Sequence, residues 1–219
     1  MKANYINDLF YYKDDNGVSL PAVSTILKHT QPPESVVALN NWKRKLGAEA
    51  DRVSSIKRDR GKVLHQMFKT HLEGKSVPPC SNLVLPFWLS LQTVLPDLTD
   101  VQMIEEVVPN YKEGYAGRVD LVARYRSTPC VVELTTADDP KLSAASLYDK
   151  PLQAVAYAGA INRFYEDELY GQRIDSALVI VALPDTPAEV FLFHRDHVVD
   201  YWQQWKERLE YFLSLPIAC

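Results

Sequence analysis

The sequence is poor in cysteine and has no long hydrophobic run. Its three cysteines, Cys80, Cys130 and Cys219, lie far apart and form no C-x-x-C pair. This argues against a disulfide framework and against a thiolate zinc site, and it fits a reducing compartment. No apolar stretch approaches the roughly 18 residues of a membrane span. The sequence also lacks internal repeats, low-complexity segments and linkers.

The composition that remains is that of an ordinary globular chain. Hydrophobic residues make up 47% and charged residues 24% of the 219 positions, which is enough to build one buried core. We therefore predict a single domain over residues 1–219. Residues 1–97 should hold a hairpin and helices, and residues 98–219 should hold a sheet and the last helix.

The N-terminal part shows mainly helical patterns. Asp14-Asp15-Asn16-Gly17 between two short apolar runs predicts a hairpin over residues 10–20. A short helix, Thr25 to Lys28 with Ser24 as its cap, and a helix near 86–94 are also predicted. Between them, a long helical region from about Glu34 to Leu72 is indicated by a stripe of apolar residues at helical spacing. The stripe consists of Val53, Ile56, Leu64, Phe68 and Leu72.

From residue 101 onward the apolar period changes from that of a helix to that of a strand. The predicted strands cover 101–109, 115–125, 130–136, 174–183 and 189–194, with a helix over about 146–164 and an amphipathic helix after the last strand. This order predicts an α/β fold in which helices flank a mixed central sheet.

The charge of the chain is unevenly distributed. Residues 43–62 hold eight basic and three acidic side chains, a net charge of +5 in a chain whose total is −4. Such asymmetry is typical of a surface that binds phosphate groups, although a solvated helix face is the plain alternative. The candidate DNA-binding residues in this segment are Lys43, Arg44, Lys45, Arg58 and Lys62.

Two carboxylates in successive strands suggest a metal site. Asp120 and Glu133 are separated by one short turn, so strand pairing can bring them to one end of the sheet. Two such oxygen ligands suit Mg²⁺ or Mn²⁺, which also bind waters and substrate phosphates. Surface strands often carry carboxylates, so this pair is weak when taken alone.

Further polar residues strengthen the pattern. Glu105 lies in an apolar strand, His65 lies on the basic helix, and Gln153 and Tyr157 share a helix face four residues apart. Each also has a plain interpretation: His65 as a solvated helix residue, and Gln153 and Tyr157 as the polar fringe of a packed helix.

Taken in order, these motifs resemble a known family. The series runs Gly61-x-x-x-His65, Glu105, Gly117-x-x-Asp120, Glu133-x-Thr135-Thr136 and Gln153-x-x-x-Tyr157. It is similar to the RecB-like branch of the PD-(D/E)XK nucleases, the group of the mitochondrial genome maintenance exonuclease and its phage relatives. The densest likeness is in residues 151–162, and the whole likeness runs from about Leu20 to the C-terminus.

The resemblance implies a fold, an activity and site roles. The fold would be a restriction-endonuclease-like core with an N-terminal helical arch. The activity would be Mg²⁺- or Mn²⁺-dependent exonucleolytic hydrolysis of DNA, single-stranded or with free ends, in replication, recombination or repair. Asp120 and Glu133 would bind the metal, and His65 and Glu105 would complete the site. Gln153 and Tyr157 would steady the site and the DNA backbone, and Trp42 is a candidate to stack on bases.

One residue departs from the family pattern. Thr135 stands where the acid-x-Lys motif has its catalytic lysine. A basic residue elsewhere could take over this role, Lys150 as the first candidate and Arg118 as the second. Alternatively the metal alone suffices, or the fold binds DNA without cutting it, or Thr135 replaces a native lysine by engineering.

A more distant alternative is an interaction protein whose acidic residues are structural. We expect a monomer with no membrane partner. The N-terminal residues lack the features of a signal or transit peptide, and this leads us to expect the cytoplasm of a bacterial or phage-infected cell.

Overall fold

A computed structural model describes residues 1–165 and 169–216 of the chain. The N-terminal elements are β1 (Lys2–Ile6), β2 (Leu9–Lys13), β3 (Ser19–Pro21), α1 (Val23–His29), α2 (Pro33–Leu46), α3 (Ala50–Leu72) and α4 (Leu85–Gln92). The following elements are β4 (Leu98–Asn110), β5 (Tyr115–Tyr125), β6 (Thr128–Thr136), α5 (Lys150–Phe164), β7 (Ala177–Ala182), β8 (Glu189–Phe193) and α6 (Arg195–Ser214).

A five-stranded mixed sheet forms the centre of the fold. Its strand order is β4-β5-β6-β7-β8. Strand β6 pairs with β7 in parallel, whereas the other three pairs are antiparallel. The parallel pair requires a crossover connection, and α5 supplies it. This arrangement confirms the predicted α/β fold with helices flanking a mixed sheet.

Helices cover both faces of this sheet. On one side α1, α5 and α6 pack around Tyr115, Trp205 and Phe212, which are fully buried. On the other side α3 contributes Leu64 and Phe68, and α4 contributes Leu91, to the core against the strands. Every residue of β7 is buried, as expected for a strand that is covered on both faces.

The first short helix was predicted with the wrong start. It begins at Val23, and its N-cap position is Ala22 rather than Ser24, with no side-chain cap hydrogen bond. Ala22 forms a bridge to Ala116 of β5, and Val23 is fully buried. The chain therefore enters the helix directly from the core, while Ser24 is exposed to solvent.

The long helical region is divided in two. Gly47 adopts a φ of 55° after α2, a left-handed conformation that a glycine tolerates, and α3 starts three residues later. The predicted apolar stripe is buried only in the second half of α3, since Ile56 is 37% exposed whereas Leu64 is buried. Helix α2 has no buried residue at all.

Two further boundaries differ from the predictions, and one strand was not predicted at all. The helix predicted from 146 begins at Lys150, because Tyr148 has a φ of 52° and separates it from a short 3-10 turn. The strand predicted from 174 begins at Ala177. Strand β1 was missed because its residues are mostly exposed and show no apolar alternation. Within the described residues, the helices are too short or too polar to cross a membrane.

Candidate active site

The two carboxylates meet where strands β5 and β6 separate. The last paired residues of these strands are Leu121 and Val132, so the register puts Asp120 opposite Glu133. The backbone N–H of Leu134 donates to Oδ2 of Asp120 over 2.8 Å. The Asp120 carboxylate thus accepts a backbone N–H that has no partner in strand β5 at this point. Both carboxylates are buried, Asp120 at 7% and Glu133 at 1% exposure.

Helix α3 and strand β4 bring two more ligand-type residues to this point. Nδ1 of His65 lies 3.1 Å from Oε1 of Glu105 and 3.4 Å from Oδ1 of Asp120. Nε2 of His65 lies 3.2 Å from the carbonyl oxygen of Leu134. Donation from Nε2 to this carbonyl would leave Nδ1 turned towards the carboxylates. Glu105 has a φ of 55° within a strand, a strained conformation for a residue with a side chain.

A chain of hydrogen bonds connects Glu133 with helix α5. Nζ of Lys150 donates to Oε1 of Glu133 over 2.7 Å and lies 3.4 Å from Oε1 of Gln153. Nε2 of Gln153 donates to the hydroxyl of Tyr157 over 3.0 Å. These three residues follow each other at three- and four-residue spacing from the first residue of α5, so they share one face of the helix.

Three ionisable side chains of the site have shifted pKa values. Burial raises the pKa of Glu133, Asp120 raises it further, and Lys150 and His65 oppose this, which leaves it at about 7. Burial alone would lower the pKa of His65, but Asp120, Glu105 and Glu133 outweigh it and raise the value to about 10. The pKa of Lys150 is also raised, because the Glu133 carboxylate outweighs the effect of burial. The carboxylates therefore favour positive charge at this point.

A cavity of about 630 Å³ opens over these residues, and we call it the carboxylate cavity. Its lining includes His65, Glu105, Asp120, Glu133, Thr135, Lys150, Gln153 and Tyr157. Two of the predicted DNA-binding residues, Arg58 and Lys62, line it as well. Lys43, Arg44 and Lys45 are exposed at the end of α2 and are not among its lining residues.

Comparisons with known proteins show which family the chain belongs to. The mouse protein named mitochondrial genome maintenance exonuclease 1 is 32% identical over 206 residues, and the Xenopus tropicalis protein of that name is 32% identical over 203 residues. Each alignment covers 88% of this chain. This chain is a homologue of mitochondrial genome maintenance exonuclease 1. It spans 58% of the length of the mouse exonuclease and 57% of that of the frog exonuclease.

No model of a known protein family matches the chain. Among solved structures, a crystal structure from Eubacterium rectale, provisionally described as an exonuclease, aligns with 9% identity and a TM-score of 0.48. The alignment covers 70% of this chain and 66% of that one.

The ligand types at the centre of this exonuclease homologue suit a divalent cation. One nitrogen or oxygen atom from each of His65, Glu105 and Asp120 lies within 4.8 Å of the others. Oε2 of Glu133 is buried and has no hydrogen-bond partner among the described residues. A carboxylate oxygen in this state needs a cation or a proton, and the raised pKa of Glu133 expresses the same need. The residues present therefore fit Mg²⁺ or Mn²⁺, which prefer oxygen ligands.

The two basic residues considered as substitutes for the motif lysine have different partners. Thr135 itself lines the carboxylate cavity together with Lys150. The ammonium group of Lys150 lies against Glu133, whereas Nε of Arg118 pairs with Oε2 of Glu105 over 3.0 Å. The structure therefore brings Lys150, and not Arg118, to Glu133. This is the acidic residue that stands two positions before the lysine in the family motif.

Arg60 is a buried residue beside this site whose role the sequence interpretation missed. It is only 9% exposed, and it donates to Asp138 over 2.7 Å and to the hydroxyl of Thr136 over 3.3 Å. Its guanidinium lies 3.9 Å from the ring centre of Phe87. Arg60 thereby fastens the chain after β6 to α3. Its four-residue spacing from Leu64 was an available signal, because that spacing puts it on the buried side of the helix.

Proposed function

We propose that this chain is a metal-dependent deoxyribonuclease that hydrolyses phosphodiester bonds exonucleolytically. Its substrate would be single-stranded DNA or free DNA ends in replication, recombination or repair. The observation that carries the proposal is the convergence of His65, Glu105 and Asp120 beside the Glu133–Lys150 pair in one cavity. The exonuclease names of the homologues support it.

Four residues would hold the metal: His65 through Nδ1, and Glu105, Asp120 and Glu133 through carboxylate oxygens. When bound, Mg²⁺ or Mn²⁺ supplies a water of lowered pKa and neutralises charge on the phosphate. The hydrogen bond between Nε2 of His65 and the Leu134 carbonyl would keep the imidazole oriented, because a ligand that is fixed on its other side is preorganised.

Lys150 would do the work of the missing motif lysine. Its ammonium lies 2.7 Å from Glu133, and its side chain remains one-third exposed towards the cavity. From this position it can orient an attacking water and offset negative charge that develops on the phosphate. Gln153 and Tyr157 would hold the amine and the adjoining wall in place through their hydrogen bonds. Arg58 and Lys62 would bind neighbouring phosphates of the strand.

Two substitutions at Asp120 test the proposal. Asp120→Asn removes the charge but keeps an oxygen that can accept the Leu134 N–H, so cleavage should be abolished while the free energy of unfolding stays near that of the parent. Asp120→Ala also loses this hydrogen bond, and we expect a further loss of about 1–3 kcal/mol of stability. Cleavage of end-labelled single-stranded DNA with Mg²⁺ or Mn²⁺ is the assay. Cleavage by Asp120→Asn near the parental rate would overturn the assignment.

Thr135 favours a second candidate, a fold that binds DNA but does not cut it. A threonine hydroxyl replaces at most the hydrogen bonding of a lysine and not its charge. Under this alternative the parent should show no cleavage with either metal and should still bind DNA, with an affinity that falls steeply with salt. Cleavage that appears only in Thr135→Lys would establish this alternative. Cleavage by the parent would exclude it.

A further inference from the structure

A second cavity, of about 570 Å³, lies between helix α2 and residues 141–150. We call it the α2 cavity. Five residues line both this cavity and the carboxylate cavity: Ser24, Thr135, Thr136, Lys150 and Gln153. Whatever occupies the α2 cavity therefore lies next to the proposed site of hydrolysis.

The far walls of the α2 cavity are largely apolar. Leu39 and Trp42 come from α2, Leu27 comes from α1, and Leu147 and Tyr148 come from the segment before α5. The carboxylate cavity differs in character, because its walls hold the acidic cluster. A recess of this volume with apolar and aromatic walls is suited to a flat organic group.

Helix α2 is under-packed without an occupant. None of its 14 residues is buried, and Leu39 is 43% exposed. A helix of this length is marginal in water unless an apolar face is covered. Among the described residues this face is only partly covered, since Trp42 is half-buried and Leu39 is exposed, so a ligand in the α2 cavity would cover surface that the protein leaves open.

Each aromatic wall has an ammonium group beside it. Nζ of Lys57 lies 5.8 Å from the ring centre of Trp42, and Nζ of Lys141 lies 5.7 Å from that of Tyr148. Tyr148 also has a φ of 52°, a conformation that costs energy for a residue with a side chain. An aromatic surface with a lysine close to it suits a group that is flat and carries an anion next to it.

We propose that the α2 cavity is a subsite for one unstacked nucleobase of the strand whose phosphate lies in the carboxylate cavity. This proposal rests on the proposed function and deepens it. Trp42 and Tyr148 would contact the face of the base, and Lys141 would bind an adjoining phosphate, while Lys57 is already paired with Asp138 over 2.7 Å. A base that is paired in a duplex cannot turn into the cavity without unpairing, so the subsite would select strands with an unpaired base at this position.

An apolar side chain of a partner protein is the rival occupant. It would account for the apolar walls, but it would leave the lysines at both rings and the shared border with the carboxylate cluster unexplained. A nucleotide accounts for all three features.

The test uses single strands that carry the fluorescent base 2-aminopurine at successive positions. Binding is measured without divalent metal, so that no cleavage occurs. We expect one position at which the fluorescence changes on binding far more than at its neighbours. Trp42→Ala should abolish this change and weaken strand binding about tenfold, as expected for the loss of one base-stacking contact. Val37→Ala, a truncation to the same residue at an exposed α2 position outside the cavity, should alter neither.

Two further variants guard against a folding artefact. Trp42→Phe keeps an aromatic face and should retain the position-specific signal, and Tyr148→Ala should weaken it. In the parent, an abasic site at the sensitive position should lower the affinity for the strand as much as Trp42→Ala does. In Trp42→Ala, the same abasic site should lower the affinity little further, because the contact is already lost. Equal signals at all positions, or equal behaviour of Trp42→Ala and Val37→Ala, would overturn the subsite.

The outcome is separable from that of the proposed function. Cleavage of labelled strands with Mg²⁺ or Mn²⁺ is measured in parallel. Cleavage by the parent without a position-specific signal defeats the subsite and leaves hydrolysis in place. A position-specific signal without cleavage supports the subsite and counts against hydrolysis.

Discussion

Replacement of Lys150 by methionine tests whether a lysine from helix α5 has replaced the lysine of the motif. Methionine has a similar length but no charge, so the change removes the 2.7 Å contact with Glu133 and keeps most of the volume. Glu133 is 1% exposed, and in the variant both of its carboxylate oxygens would lack a partner among the described residues. The pKa of Glu133 should rise further, because Lys150 is one of the groups that lower it.

Two magnitudes follow from this geometry. Loss of one charged donor that is aimed at developing negative charge should lower kcat by about 10²–10³-fold. The stability loss should be smaller than the 3–5 kcal/mol typical of a broken buried ion pair, because the Lys150 side chain is 33% exposed. Glu133, with a pKa of about 7, can also take up a proton. We expect a loss of about 1–2 kcal/mol.

The assay is kcat on end-labelled single-stranded DNA at saturating metal and saturating DNA. Saturation separates a catalytic effect from a weaker affinity for the metal. Lys206→Met, on the exposed side of α6, is the matched control and should behave as the parent. Adding Thr135→Lys to Lys150→Met should recover about tenfold of the lost activity, because it returns an amine to the same cavity from strand β6.

A parental kcat in Lys150→Met would refute this reasoning. It would mean that the metal site works without any lysine and that the Glu133–Lys150 pair is structural. A loss of activity that Thr135→Lys fails to relieve would show that the position of the amine on α5, and not only its charge, is required.

Two further predictions concern packing and thiol chemistry. Gly117→Ala should cost about 1–3 kcal/mol of stability and also lower activity, because a Cβ there would overlap the ring of Tyr157. Gly61→Ala has open space around the new Cβ and should be neutral or stabilising by about 0.5–1 kcal/mol. Thermal unfolding of both variants checks these values. Cys130 is fully buried and burial raises its pKa to about 12, so in the native protein it should resist alkylation at pH 8 while partly exposed Cys80 reacts. Mass-spectrometric mapping of labelled peptides would contradict the second prediction if it found Cys130 modified before unfolding.

Local pattern was sufficient to predict the central sheet and the carboxylates. Apolar alternation fixed strands β4 to β6, and one short turn between Asp120 and Glu133 leaves few ways to pair them. Lys150 could be nominated because it opens the helix that also carries Gln153. In each case the decisive contact is between elements that are neighbours in sequence.

Features that depend on distant contacts were not predictable in this way. Arg60 lies within the basic segment that was interpreted as a phosphate-binding surface, although its partner Asp138 follows strand β6, 78 positions later. The α2 cavity has walls from three separate segments, so no single stretch of sequence signals it. Serine is a common N-cap residue, but the helix begins before Ser24, because Val23 is buried in the core as its first residue.

The open packing of helix α2 has a consequence for its amide protons. Local opening costs little free energy where few apolar contacts are lost, so α2 should exchange its amides for deuterium long before the strands β5 to β7 do. The opened state would retain the sheet, since α2 contributes no buried residue to either side of it. The wall of the α2 cavity could then melt and re-form on its own while the acidic cluster stays assembled. Entry of the end of a DNA strand into the two cavities would then require only this small opening, and the core would not have to separate.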